Sequence, residues 1–125
     1  MISAKKTILF LEDEEELLDT VGNLLQDQGY NVVKIGEAEK ALELMRELVP
    51  DLILADIKLP GMDGFDFFHE IKKSKQLGSV PFMFITAFND MSAMMYAKKA
   101  GAVEYITKPF EFEYLIARVK HHVPP

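Results

Sequence analysis

The chain has 125 residues, with 20 Asp and Glu against 14 Lys and Arg for a net charge of −6, and it has no cysteine. That length suits one domain, residues 1–125, with a core large enough to need no staples, and the missing thiols exclude a disulfide framework and a thiolate metal site. The acidic balance argues against direct binding to nucleic acid or to an anionic membrane surface. No apolar run approaches membrane-spanning length, and Met1–Lys6 lacks the apolar stretch of a signal peptide, so a cytoplasmic protein is the expectation.

Thr7–Leu11 is an apolar run with a β-branched start and reads as the first strand. It ends in Glu12-Asp13-Glu14-Glu15-Glu16. Leu17, Val21, Leu24 and Gln28 follow at helical spacing, with Leu18 and Leu25 beside the stripe and Gly29 closing the helix. Asn31–Ile35 is the second strand. Glu37–Val49 reads as a helix with Ala38, Ala41, Leu42, Met45 and Leu48 on one side, stopped by Pro50. Leu52–Ala55 is a short apolar run of the kind buried on both faces, ending at Asp56. Pro60, Gly61 and Gly64 then break regular structure. Phe65, Phe68, Ile71 and Lys72 mark the third helix. Val80–Thr86 is the fourth strand, with its proline near the start, where a missing N–H is tolerated. Asn89–Lys99 is the fourth helix, closed by Gly101, and Val103–Thr107 is a short fifth strand. Lys108-Pro109 makes a turn, and Phe112, Leu115, Ile116 and Val119 mark the last helix.

Strands and helices alternate five times, and each crossover contains a helix. This predicts an α/β fold, a doubly wound parallel sheet with helices on both faces. In such a sheet the strand ends share one edge, where ligands bind. Glu12, Asp13, Asp56 and Thr86 would lie there, followed by Lys108. Taken singly, each has an ordinary explanation: Asp56 as a turn cap, Thr86 as an idle hydroxyl, Lys108 as a solvated lysine, and Glu14–Glu16 as an acidic helix start favoured by the macrodipole. Together they suggest chemistry. Three close carboxylates raise one another's pKa unless a cation joins them. An all-oxygen set suits a hard cation such as Mg²⁺, which uses one or two carboxylates plus phosphate oxygens. Metal, lysine, hydroxyl and carboxylate are the parts for phosphoryl transfer, with a carboxylate as a possible acceptor.

Glu12-Asp13, Asp56 followed by Leu59-Pro60-Gly61-Met62-Asp63-Gly64, Thr86-Ala87, Gly101-Ala102 and Lys108-Pro109-Phe110 together resemble the receiver domain of two-component response regulators, from Lys6 to about Lys120. The resemblance implies a flavodoxin-like sheet of order 2-1-3-4-5 with five helices. It implies that Asp56 accepts a phosphoryl group from a histidine kinase or phosphotransfer protein. Asp13 and Asp56 would bind Mg²⁺, with Glu12 helping through water and the Lys58 carbonyl completing the set. Thr86 would bond the phosphoryl group and Lys108 would pair with it. Ala87 would leave room above it. Tyr105 would be the switch aromatic, turning inward as Thr86 moves toward the phosphate, and Lys108-Pro109 would be cis. Glu12 stands where Asp is commoner, and Lys58 and Phe88 occupy variable positions.

The sequence opposes three rival readings. A dehalogenase-type phosphatase needs a second Asp where Lys58 stands. A flavodoxin needs a phosphate loop where the acidic Glu12–Glu16 stands. A degenerate receiver, acting as a phosphorylation-independent interaction module, is opposed by the intact Asp13, Asp56, Thr86 and Lys108. No effector domain follows, so both a stand-alone regulator and a receiver from a longer protein stay open. The fourth helix carries Met91, Met94, Met95 and Tyr96, while Ala93, Ala97 and Ala100 suit packing on the sheet. Met91, Met95 and Tyr96 are therefore expected outward, bordered by Tyr114 and Arg118. This fourth helix–fifth strand–fifth helix surface is read as the face for an output partner or homodimer.

Overall fold

The computed structural model describes residues 4–125; Met1–Ser3, the start of the N-terminus read above for a signal peptide, lie outside them. The strands are β1 (Thr7–Leu11), β2 (Asn31–Ile35), β3 (Leu52–Ala55), β4 (Phe82–Thr86) and β5 (Glu104–Thr107). They pair in parallel in the order β2-β1-β3-β4-β5. The helices are α1 (Glu15–Asp27), α2 (Ala38–Leu44), α3 (Gly64–Lys73), α4 (Met91–Lys99) and α5 (Phe112–His122). The expected order and element count hold. Among the described residues no helix is long and apolar enough to cross a membrane.

The period-2 alternation of a strand sorts the apolar side chains into two cores. Ile8, Phe10, Leu52, Leu54, Met83 and Ile85 face one way and pack under Val21 and Leu25 of α1 and Leu115 and Val119 of α5. Leu9, Leu11, Ile53, Ala55, Phe82 and Phe84 face the other way, under α2, α3 and α4. Every residue of β3 is buried because the strand is central and covered on both faces. With that many apolar groups out of water, its end is held rigidly, and Asp56 inherits that fixed position.

Several boundaries differ from the periodicity. The second helix ends at Leu44 rather than Val49. Arg46 N–H bonds to Glu43 O and Glu47 N–H to Leu44 O, so the chain tightens into three-residue turns before Pro50. The fourth helix begins at Met91 because Asp90 Oδ1 accepts from Ser92 N–H at 2.8 Å and Ala93 N–H at 3.2 Å, capping it there. On α1 the fully buried leucine is Leu25, with Leu24 half-buried. On α3, Phe67 is buried with Phe68 and Ile71, while Phe65 is half-buried. Of the three alanines expected against the sheet, Ala97 is buried, Ala93 is half-buried and Ala100 is exposed at the helix C-terminus. Gly29 and Gly101 do end their helices, at φ of 102° and 116°.

Candidate functional site

The sheet order brings Glu12 at the end of β1 beside Asp56 at the end of β3, because those strands are paired in register from Ile8 opposite Leu52 to Leu11 opposite Ala55. Asp56 N–H continues that ladder onto Leu11 O at 3.0 Å. Thr86 ends the next strand over, and Lys108 follows β5, one strand further out. The long stem of Lys108 carries its ammonium back across the end of β4. Its Nζ lies 2.8 Å from Asp56 Oδ2 and 2.7 Å from Glu12 Oε1, with Glu14 Oε2 at 3.9 Å. Asp56 is buried and Glu12 is fully buried, while Asp13 points to solvent.

The Asp56 carboxylate is fixed at both oxygens. Oδ1 accepts from Ile57 N–H at 2.6 Å and Lys58 N–H at 3.3 Å; Oδ2 accepts from Lys108. Glu12 Oε2 accepts from Glu14 N–H at 3.1 Å. Burial drives the Glu12 carboxyl up to about 7 and nearby Asp56 adds to the rise, against the lowering effect of the Lys108 and Glu14 hydrogen bonds. Burial works to lower the Lys108 pKa, but its bonds to Asp56 and Glu12 outweigh that and raise it. The ammonium therefore stays charged.

Glu12, Asp13 and Asp56 offer oxygens that all lie within 4.8 Å of one another. Three carboxylates face one ammonium, and the donors are all oxygen. That set fits a hard divalent cation and does not suit a soft one.

Around this centre the β4–α4 turn is pinned through the backbone of one residue. Phe88 N–H donates to Thr86 Oγ1 at 3.1 Å, and Tyr105 Oη donates to Phe88 O at 2.6 Å. Tyr105 is already inward and only 6% exposed. The inward turn implied for phosphorylation is thus the position the unmodified chain holds, since the pocket satisfies both the ring and the hydroxyl. Lys108-Pro109 is cis. Two open clefts flank the buried carboxylate. One, of about 450 Å³, is lined by Glu14, Leu17, exposed Ala87, Lys108, Pro109, Phe110 and Phe112. The other, of about 400 Å³, is lined by Lys58, Leu59, Asp63, Phe65 and Phe88, with Lys58 Nζ 5.3 Å from the Phe88 ring centre.

These positions are those of a known architecture. The profile of the response regulator receiver domain matches residues 8–120. The chain belongs to the response regulator receiver domain family. This receiver domain is 33% identical over 120 residues to the DNA-binding response regulator MtrA of Mycolicibacterium smegmatis, covering 96% of this chain and 51% of that protein. The chain thus spans about half the length of the curated relatives it matches. Among solved structures it resembles the non-phosphorylated HemR receiver domain of Leptospira biflexa (TM-score 0.89, 30% identity, 97% of this chain and 96% of that one). It also resembles the chemotaxis response regulator CheY4 of Vibrio cholerae (TM-score 0.88, 25% identity, 96% and 100%). The receiver fold, and membership of the two-component response regulators, follow.

Sequence reasoning missed three residues at or near the receiver site. Glu14 was read as part of a plain acidic helix start, yet its N–H and carboxylate both reach the centre; its place two residues after Glu12 was the available signal. In the sequence Gly64 reads only as one of three residues that break regular structure after Asp56. A Cβ on it would lie 2.1 Å from Asp56 O and 2.6 Å from Ile57 Cα, so its role is close approach of α3 to the strand end. Glu39 bonds Met62 N–H at 2.9 Å from 23 residues away, and nothing local marks it.

Proposed function

We propose that this receiver, residues 1–125 acting as one unit, accepts a phosphoryl group on Asp56 from a histidine kinase or phosphotransfer protein in a Mg²⁺-dependent reaction. The observation that carries the reading is the Asp56 carboxylate itself, buried at the rigid end of β3 and oriented through one oxygen by backbone N–H groups and through the other by Lys108. An Asp56 oxygen forms the new bond to phosphorus as the bond from phosphorus to the donor's imidazole nitrogen breaks, and the donor leaves as a neutral imidazole once protonated. Asp13 and Asp56 would hold the metal, with Glu12 behind them and the Lys58 carbonyl as the remaining protein ligand. Bound there, Mg²⁺ supplies neutralisation of the phosphoryl oxygens' charge. Lys108 transfers its hydrogen bond from Asp56 to a phosphoryl oxygen, and the Thr86 hydroxyl gives up Phe88 N–H to donate to another. Ala87, small and exposed, leaves the cleft over Asp56 open to the donor.

Incubation with acetyl phosphate and Mg²⁺ tests this by intact mass. The wild-type chain should gain one phosphoryl group, labile to hydroxylamine as an acyl phosphate is, and Asp56→Asn should gain none. Full uptake by Asp56→Asn sinks the assignment. No uptake by the wild type favours the phosphorylation-independent module instead.

The output surface in this reading is α4, β5 and α5. Met91 is 65% exposed, Met95 64%, and Tyr96 and Tyr114 are also exposed. That is more apolar surface in one place than a solvated helix needs, and methionines adapt to varied partners. The −6 balance supports a domain that does not itself hold DNA, and the reading places it in the cytoplasm. Beryllofluoride with Mg²⁺ should mimic the phosphorylated state and change association with a second copy or an output partner. Met91→Glu with Met95→Glu should abolish that change while Asp56 is still phosphorylated. These two make no hydrogen bond, whereas the Tyr96 hydroxyl is 2.6 Å from His69 Nε2 and helps join α4 to α3. Unchanged association of the double variant in sedimentation moves the output surface elsewhere.

A further inference from the structure

The loop from Ile57 to Asp63 carries the backbone groups that surround the Asp56 carboxylate. Its base is held firmly: Ile57 and Lys58 N–H bond to Asp56 Oδ1, and Gly64 N–H bonds to Ile57 O at 2.8 Å. Its crest, Leu59 to Met62, is half-buried to exposed and has no ladder to rest on. Among the described residues, one side chain from outside the loop bonds the backbone of that crest. It is Glu39, in the first turn of α2, whose Oε2 accepts from Met62 N–H at 2.9 Å. The crest is shaped to receive it. Gly61 takes φ +72°, a conformation open mainly to glycine, and a Cβ there would lie 2.5 Å from the same Oε2. Glu39 is held ionised by the Met62 N–H and by its own backbone N–H, which lower its pKa.

We infer that Glu39 is a positioning residue for the Asp56 site, fixing the crest of the β3–α3 loop from α2 so that the Lys58 backbone stays placed for the metal. The inference rests on the phosphoacceptor reading for the metal and its ligands. A hydrogen bond to an N–H two residues beyond Pro60 acts on a segment with few other restraints, so its loss spreads along the loop to the Lys58 carbonyl, which lies on the crest side of the anchored Lys58 N–H. An outer contact of this kind tunes a metal site without touching the metal. Glu39 is 17 residues before Asp56 and shares no strand with it, so neither motif nor periodicity points to it.

The test compares wild type, Glu39→Ala and Glu39→Gln for Mg²⁺ binding by calorimetric titration, for the rate of phosphorylation by acetyl phosphate, and for the thermal midpoint of the metal-free protein. Glu39→Ala should weaken Mg²⁺ binding about fivefold, the effect of one hydrogen bond, and slow phosphorylation similarly, with an unchanged midpoint. Glu39→Gln keeps an acceptor oxygen and should restore most of the affinity. Wild-type affinity in Glu39→Ala, equal loss in both variants, or a loss that only tracks a falling midpoint overturns the inference. So does a wild-type chain that binds no Mg²⁺. If the wild type binds Mg²⁺ but takes no phosphoryl group, with Asp56→Asn as the reference, the phosphoacceptor reading fails and the titration still decides the role of Glu39.

Discussion

Lys108→Met should destabilise the metal-free receiver by about 3–5 kcal/mol at pH 8, the cost of leaving buried charges without their partner, and by much less at pH 5.5. The ammonium sits between Asp56 Oδ2 at 2.8 Å and Glu12 Oε1 at 2.7 Å, and both acids are buried. Methionine keeps the stem and removes the charge, so packing changes little. The pH dependence follows from Glu12. Its pKa is raised from an ordinary 4.5 to about 7 in the folded chain. A carboxyl raised by folding contributes fully below its unfolded pKa, and that contribution is lost as pH rises through the folded pKa. Without Lys108 one of the bonds holding the Glu12 pKa down is gone, so the loss with rising pH steepens. Below pH 6 Glu12 is neutral and misses the lysine less. Mg²⁺ should return part of the stability at pH 8 by supplying the missing charge. Urea unfolding at the two pH values, in EDTA and in Mg²⁺, checks this. Equal losses at pH 5.5 and 8 would show that the pairing of Lys108 with Glu12 carries no part of the loss.

Gly64→Ala should cost about 3 kcal/mol or more, at the upper end of overpacking effects, and should also abolish phosphorylation at Asp56. On helix propensity alone the change ought to help by about 1 kcal/mol. The new Cβ, however, would lie 2.1 Å from Asp56 O and 2.6 Å from Ile57 Cα. Both are backbone atoms at the end of a central strand, so no side-chain rotation relieves the clash. Either α3 withdraws, or the Asp56–Ile57 peptide turns and takes the N–H groups off Oδ1. Withdrawal would also uncover Phe67 and Phe68, which pack on β4 through Phe82 at ring-centre distances of 5.8 and 4.8 Å. Denaturant unfolding with acetyl phosphate labelling measures both losses. A variant within about 0.5 kcal/mol of wild type, as for an ordinary surface change, would show that the contact relaxes freely.

Much of this receiver could be read without coordinates. Thr7–Leu11 and Leu52–Ala55 announce buried strands because a strand covered on both faces must be apolar throughout. Gly29 and Gly101 mark helix ends because positive φ is cheap for glycine. The acids, hydroxyl and lysine after successive strands suggested a shared edge because parallel strands end together. Each of these is a local property, carried by a residue and its near neighbours. The failures also have local causes. Glu37–Val49 keeps a helical apolar spacing past Leu44, but spacing does not register that the backbone has tightened into turns. Phe67 was overlooked beside Phe65 and Phe68, since three aromatics in four positions leave the buried side of a helix undetermined until the sheet is in place.

Only the tertiary structure decided how the edge is wired. Strand pairing, not strand identity, puts Glu12 next to Asp56 and lets Lys108 reach both from beyond β4. The same pairing buries Glu12 and so raises its pKa. Space, not conformation, demands glycine at position 64, and a contact across 23 residues ties Glu39 to Met62. The inward seat of Tyr105 depends on where the carbonyl of Phe88 lies, 17 residues earlier in the chain. Distances, burial and charge coupling between residues far apart in sequence exist only once the chain has closed on itself. The amino-acid order therefore determines which groups are available at the strand ends, and packing determines which of them meet.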